Sequence, residues 1–342
     1  MKQKKGIAVA GNAIIDYYKE IEAYPQHSSL TTIRQIKKDL GGALCNCAID
    51  LAKIDPDMPV DAIGLCGSDD AGDYIINQMS AFKNIRMDQI HRIGETSFTD
   101  VMVDRKNRTR TFFQFRGANA FLDIEHFDFS LLQADILHVA YILLLDTLDQ
   151  PDSEYGTRMA RLLDKARKQG LKTSIDVVSE ESDRFKTLVP PALKYVDYCI
   201  VNETESSKTT GIPVRDENHN LLVERVIDNC RALFEYGVKE WVVIHSREGA
   251  VGMDQAGHVT KMPSIAIPEK QIINTTGAGD AFLSGALYAA WSGRNLETAL
   301  KMGIASASSS LLGANATEGI IRHDQLLDFY HQYDAEAWSC FQ

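Results

Sequence analysis

Two periods of apolar positions alternate along this chain, and their order predicts its architecture. Short apolar runs at Ile7 to Ala10, Val60 to Cys66, Lys172 to Val178, Tyr198 to Val201 and Trp241 to His245, with a longer one at Ala134 to Leu144, read as buried strands. Between them the spacing changes. Met159, Leu162, Leu163 and Ala166 within Gly156 to Gly170, and Val223, Ile227, Cys230 and Phe234 within Leu221 to Tyr236, recur at helical intervals. Strands alternating with amphipathic helices imply an α/β protein on a central, mostly parallel sheet with helices on both faces. One stretch departs from that scheme. Thr96 to Asp104 and Arg108 to Phe115 alternate in character around Arg105-Lys106-Asn107-Arg108, which is the pattern of a hairpin. A lone hairpin is marginal in water, so it needs further strands or a partner chain to cover its apolar face.

The run Asn274-Thr275-Thr276-Gly277-Ala278-Gly279-Asp280-Ala281-Phe282 sets a glycine turn and a carboxylate at the mouth of an apolar helix that continues to Ser292-Gly293. This helix is predicted to begin at or just after Gly279. The first amides of a helix have no partner inside it, and the positive end of the helix dipole favours an anion there. Gly277 and Gly279 let the backbone approach such an anion closely. In the plainest account Asp280 is a helix cap and the glycines only turn the chain. Two known phosphate loops fit poorly. A P-loop would end in Gly-Lys-Ser or Gly-Lys-Thr where Gly279-Asp280 stands, and a dinucleotide fingerprint would need a small residue in place of Phe282. Beside the cap account, the free amides and Asp280 together read as a place that could hold an anion and remove a proton.

That run closely resembles the C-terminal signature of the ribokinase-like (PfkB) sugar kinases, Asp-Thr-Thr-Gly-Ala-Gly-Asp-Ala-Phe, and departs from it only at Asn274. An earlier segment, Gly41-Gly42-Ala43-Leu44-Cys45-Asn46-Cys47-Ala48, matches the family's Gly-Gly-x-x-x-Asn-x-Ala pattern. Leu44, Cys47, Ala48, Leu51 and Ile54 continue it at helical spacing. Gly11-Asn12 followed by Asp16, the turn Gly64 to Gly72, Asn202-Glu203-Thr204-Glu205 and the looser Ser246 to Gly252 follow in the family's order.

The resemblance implies a ribokinase-like fold. Residues 1–16, 39–95 and 117–342 would form the α/β body, and residues 17–38 and 96–116 a small β-sheet lid over the sugar site, which in relatives often pairs across a homodimer. It implies Asp280 as the catalytic base, Gly277, Ala278 and Gly279 as the anion hole, and Asp16, Gly41, Gly42 and Asn46 as sugar ligands. Asn202, Glu205, Ser246, Gly249 and Gly252 would serve the nucleotide, with Glu205 organising Mg²⁺ through water and adenine lying near 246–252 and 302–306. ATP and Mg²⁺ are the implied cofactors. Relatives use the Asp that Asn274 replaces to help bind a monovalent cation, so the resemblance leaves K⁺ open. Family members acting on sugar phosphates tend to carry a lysine in or next to the diglycine motif, and Gly41 to Asn46 holds none. The implied acceptor is therefore a free, unphosphorylated sugar, as in ribokinases or fructokinases, with selectivity set by the lid and by residues 141–146 and 176–184. A nucleoside kinase and a catalytically silent sugar-binding regulator stand as alternatives on the same fold.

Composition narrows the remaining classes. Of the 342 residues, 47 are Asp or Glu and 36 Lys or Arg, a formal charge of −11 that offers nucleic acid no broad basic surface. No apolar run approaches the ~20 residues that cross a bilayer. The opening Met1-Lys2-Gln3-Lys4-Lys5 and the apolar stretch after it resemble a signal peptide, but Asn12 and Asp16 interrupt that stretch, and a first buried strand explains it better. The six cysteines, Cys45, Cys47, Cys66, Cys199, Cys230 and Cys340, show neither C-x-x-C pairing nor zinc spacing. Most sit in apolar segments and read as small core residues of a cytoplasmic protein.

Overall fold

A computed structural model describes residues 5–107 and 109–333. Met1 to Lys4, Arg108 of the hairpin turn and Cys340 lie outside the described residues. The chain begins with β1 (Gly6–Ala10), β2 (Ile14–Ile21), β3 (Ile33–Gly41), α1 (Ala43–Ile54), β4 (Val60–Cys66), α2 (Asp70–Met79), β5 (Ile85–Arg92), β6 (Phe98–Asp104) and β7 (Thr109–Phe115). Next come β8 (Ala134–Ile142), the two-residue strands β9 (Pro151–Asp152) and β10 (Gly156–Thr157), α3 (Arg158–Lys168), β11 (Lys172–Val177), α4 (Phe185–Leu193), β12 (Tyr198–Asn202) and α5 (Glu203–Thr210). The last part holds α6 (Val223–Glu235), β13 (Trp241–His245), β14 (Gly249–Asp254), β15 (Val259–Pro263), α7 (Ala278–Trp291), α8 (Leu296–Ser310) and α9 (His323–Gln332).

Nine strands form one sheet in the order β15-β14-β13-β12-β11-β8-β1-β4-β5, parallel from β13 to β5 and antiparallel only at the β14 and β15 edge. Strands covered on both faces need no polar side, which is why β1 reads as an unbroken apolar run and β4 as one interrupted only by Asp61, which pairs with Arg86 at 2.8 Å. Ile7, Val9, Val60 and Ala62 join the core under α1, α7 and α8. Ala8, Ala10, Ile63 and Leu65 join the opposite one under α3, α4 and α6. Two glycines bring α7 and α8 together. A Cβ on Gly285 would lie 2.5 Å from the Met302 carbonyl oxygen, and one on Gly303 would lie 3.0 Å from the Phe282 ring.

A second sheet has the order β3-β2-β6-β7 and grows from the ends of the first. Tyr17, Phe98 and Phe115 meet on one of its faces, edge-to-face and tilted, with ring centroids 6.0 and 5.4 Å apart. Asp16 and Tyr18, in register with Asp39 and Lys37 and with Thr99 and Val101, occupy the other. Every residue of β7 is exposed.

Several boundaries differ from those the pattern predicts. The run to Leu144 ends as a strand at Ile142, because Tyr141 (φ 63°) and Leu143 (φ 85°) turn left-handed. The helix expected from Gly156 begins at Arg158, since Gly156 and Thr157 pair with Asp152 and Pro151 and the Thr157 hydroxyl caps the Ala160 amide at 3.2 Å. The helix expected at or after Gly279 starts one residue earlier, at Ala278. Helix α4 carries Pro190 and Pro191 inside it, residues that argue against a helix when only sequence is read.

Candidate active site

The parallel strands deliver their carboxyl ends to one crevice, as α/β sheets do. Asn12 follows β1, Tyr141 stands near the end of β8, Asp176 near that of β11, Asn202 ends β12 and His245 ends β13. Into this crevice points the N-terminus of α7. Gly277 caps it at φ 85°, and a Cβ there would lie 2.5 Å from that of Ala316, so the turn requires glycine for both reasons. Gly279 is different. A Cβ at Gly279 would meet only the His245 ring, at 3.7 Å, so packing alone does not demand glycine, and the space it leaves opens into two cavities.

The smaller cavity, about 260 Å³, is lined by Tyr141, Asp176, Asn202, Glu205, Gly277 and Asp280 among others. The larger, about 980 Å³, runs past Ser246, Gly249, Ala278, Ile304 and Ser308. Gly279 and His245 line both. His245 stacks on Phe282 with centroids 4.6 Å apart, and burial lowers its pKa to about 4, so it stays neutral.

Asp280 is 5% exposed and makes no cap for its own helix. Its Oδ2 accepts from Asn46 Nδ2 at 2.7 Å and its Oδ1 from the Tyr141 hydroxyl at 2.8 Å. Burial raises its pKa, and these two donors oppose the rise. Asn46 is delivered by α1, whose N-cap Gly42 (φ 84°) lies against the Asn12 carbonyl, while Gly41 lies against the Asp16 carboxylate. Burial pushes Asp16 up to about 6, Thr99 pulls it down by a hydrogen bond, and the charges of Asp39 and Asp280 raise it. Among the described residues the Asn12 side chain and Asn46 Oδ1 are buried without a hydrogen-bond partner. Orphaned groups of this kind are the sort a bound hydroxylated ligand satisfies.

Asn202 and Glu205 cap α5. Asn202 Oδ1 accepts from the amides of Thr204 and Glu205 at 2.9 Å each, and Glu205 Oε2 accepts from the Asn202 amide at 2.9 Å. Glu205 Oε1 accepts from Asn202 Nδ2 at 2.7 Å and the Ser179 hydroxyl at 2.9 Å. Burial lifts Glu205 to about 7, with the Asn202 and Ser179 bonds opposing. Ser246 and Gly249 line the larger cavity beside Ala278. Gly252 does not belong with them: it sits buried in β14, where a Cβ would lie 2.9 Å from Leu296 of α8, so its small size serves packing.

The loop behind Gly277 is tied down by lysines. Lys37 Nζ donates to the Ala314 carbonyl at 3.1 Å, and Lys53 Nζ donates to those of Thr317 and Glu318 at 2.7 and 2.8 Å. Asn274 turns its amide onto its own segment: Oδ1 accepts from the Thr276 amide at 3.1 Å and Nδ2 donates to the Thr276 carbonyl at 3.3 Å. Arg110 of β7 reaches the Thr276 hydroxyl at 2.8 Å. Three further buried acids lie outside the predicted site residues, two of them close enough to Asp280 to feel its charge. Asp50 on α1 and Asp176 are buried and held well above the ordinary carboxylate range, chiefly by desolvation and then by the charge of Asp280. Asp149 is raised to about 6 by burial.

The chain matches the model of the pfkB family of carbohydrate kinases over residues 4–322. It is a member of that family. A 5-dehydro-2-deoxygluconokinase of Lacticaseibacillus casei is 25% identical over 98% of both chains. A ribokinase of Arabidopsis thaliana is 27% identical over 88% of this chain and 75% of the relative. Among solved structures, Arabidopsis thaliana ribokinase complexed with ribose and ATP superposes with a TM-score of 0.77 at 22% identity, over 95% of this chain and 98% of that one. A ribokinase from Thermotoga maritima gives 0.76 at 22% identity, over 96% and 99%. The ribokinase-like fold and the carbohydrate-kinase class are thereby established for this pfkB kinase. Tyr141 and Asp176 fall in the stretches 141–146 and 176–184 expected to set selectivity, but no motif marked them as neighbours of Asp280, and Asp50 escaped the sequence reading altogether because it lies within an apolar helix run.

Proposed function

We propose that this pfkB kinase transfers the γ-phosphoryl group of ATP to a hydroxyl of an unphosphorylated sugar. The observation that carries the reading is the position of Asp280: a buried carboxylate on the first turn of α7, with Asn46 on one side and the cavity of Gly277 and Gly279 on the other. The sugar hydroxyl, held by Asp16, Asn46 and the turn at Gly41 and Gly42, gives its proton to Asp280 as its oxygen attacks the γ-phosphorus. The amides of Ala278 and Gly279, with Gly277, face the transferring group. Charge spreads over phosphate oxygens in a loose transition state, so aligned N–H donors count for more than a strong base. ATP would run from the smaller cavity into the larger, past Ser246 and Gly249, with adenine near Ile304. The smaller sheet would act as the lid, with residues 17–38 and 96–116 over the sugar.

Glu205 and Asp176 fit a Mg²⁺ carried mainly by phosphate oxygens and water: both are buried acids on the smaller cavity, and among the described residues no group of three or more His, Cys, Asp or Glu forms a cage. When bound, the ion would neutralise phosphate charge. The surroundings of Asn274 do not fit a monovalent cation. Its one side-chain acceptor is taken by the Thr276 amide, it carries no charge, and the Ala314 carbonyl nearby already receives the Lys37 ammonium. A K⁺ requirement is therefore not part of this reading. Buried thiols at Cys45, Cys47, Cys66, Cys199 and Cys230 suit a reducing cytoplasm.

The test is ADP release from MgATP over pentoses, hexoses, sugar acids, sugar phosphates and nucleosides, with and without K⁺. Turnover on a free sugar without K⁺ is expected. Turnover confined to sugar phosphates or nucleosides would sink the acceptor class, and binding without any turnover would leave a silent regulator.

The exposed edge of β7, with Phe112, Phe113 and Phe115 at 63%, 54% and 39% exposure, supports a homodimer through this sheet. Light scattering should give the mass of two chains for the native protein and of one for Phe113→Lys; a native monomer at micromolar concentration refutes the dimer.

A further inference from the structure

Tyr141 stands near the end of its strand in a conformation that most residues avoid. At φ 63° it lies in the left-handed region, where the Cβ crowds the backbone at a cost of about 1 kcal/mol or more. Two hydrogen bonds accompany the turn. Its amide donates to Asp176 Oδ1 at 2.8 Å and its hydroxyl donates to Asp280 Oδ1 at 2.8 Å. With Asn46 Nδ2 on Oδ2, the Asp280 carboxylate carries one donor on each oxygen, one from β8 and one from α1, and the two together fix its plane. An extended residue at position 141 would send its side chain to one face of the sheet instead of into the crevice beyond the strand ends.

We propose that Tyr141 is the positioning residue of the phosphoryl-transfer base, holding Oδ1 of Asp280 so that the carboxylate meets the acceptor hydroxyl ionised and in one orientation. The inference rests on the reading of Asp280 as that base. Its surroundings show why a base here needs such help. Asp16 from β2, Asp50 and Cys47 from α1, Asp176 from β11 and Glu205 from α5 all interact with Asp280 as acids, and the neutral His245 ring stands beside Gly279. Burial disfavours a charge on Asp280, and that charge in turn raises the pKa of each of these acids, whereas a hydroxyl donated to Oδ1 favours the ionised form. A tyrosine suits the task because its own burial raises its pKa and keeps it a donor. Its ring also brings packing that a water molecule would not.

Tyr141→Phe removes the hydroxyl and keeps the ring. Titration of the Asp280 carboxyl carbon in ¹³C-Asp-labelled protein, assigned by its loss in Asp280→Asn, should show the midpoint rising by about one pH unit in the Phe variant. In turnover, kcat should fall about tenfold or more at pH values near the acid limb, with KM for the acceptor within about twofold. An unmoved midpoint overturns the proposal, as does a raised KM with kcat intact, which would make Tyr141 a sugar contact. The titration is read on the protein alone, so it judges Tyr141 whatever the sugar panel shows, while the panel judges the kinase reading. A melting temperature near the native value confirms that Tyr141→Phe is folded.

Discussion

Helices α5 and α7 open with the same arrangement, an acidic residue at the third helical position, and use it in opposite ways. On α5, Glu205 folds back to the Asn202 amide and Asn202 caps two amides in return, so the helix end is closed by its own side chains. On α7 the cap is Gly277, which has no side chain, and Asp280 turns away to Asn46 and Tyr141. The first helix end is finished as a structure. The second has amides that no side chain of its own covers, which is what an anion needs. A carboxylate in the first turn of a helix is therefore not evidence of a site until its partners are known.

Asp280→Asn tests the α7 half of this contrast most severely. It should keep the fold, because the amide oxygen still accepts one donor, and lower kcat by roughly 10²- to 10⁴-fold, the span that a general base supplies. Activity within a few-fold of native would remove Asp280 from the chemistry.

The two glycines of the α7 turn should then separate stability from catalysis. Gly277→Ala forces a Cβ onto Ala316 at a left-handed φ and should cost about 2 kcal/mol or more in urea unfolding. Gly279→Ala should change stability by no more than about 1 kcal/mol. It should nonetheless lower kcat/KM for ATP tenfold or more, by filling space where the phosphoryl group is expected. If both variants lose stability and neither loses ATP use selectively, the open helix end is only a turn.

The smallest effect should come from α5. The folded protein holds Glu205 at about 7, above its ordinary 4.5, so between those values the native state binds the proton more than the unfolded chain does. Stability contributed by this group is therefore present below about pH 4.5 and declines as pH rises to about 7. Asp16 and Asp149, each raised to about 6, add slopes of the same sign. Glu205→Gln keeps a capping side chain and should flatten part of that decline, so its urea midpoint relative to native should improve from pH 5 to pH 8. An identical pH slope in the two proteins would show that Glu205 is not held protonated.

What could be read from the sequence follows from how local each feature is. The α7 turn is nine consecutive residues, and its glycines and carboxylate announce themselves without any tertiary knowledge. Asn46 and Asp16 could be singled out because each stands at fixed spacing from glycines. Tyr141 falls within the stretch 141–146 but could not be singled out as a partner of Asp280, because His138-Val139-Ala140-Tyr141-Ile142 reads as an uninterrupted strand and nothing local reports a left-handed φ. Gly252 shows the opposite error: it follows a turn of nucleotide-binding composition, yet its smallness answers Leu296, a residue 44 positions later.

The glycine contacts between α7 and α8 carry a consequence for motion. Helices whose backbones approach this closely have few ways to slide, and Asp280 at the head of α7 inherits their stiffness. The smaller sheet, with its exposed β7 edge, sits at the soft end of the molecule's hierarchy of local opening, and its amides should exchange with deuterium long before those of α7. On the proposed reading, an arriving sugar would meet a base already in place, and what it would have to recruit is the sheet above it.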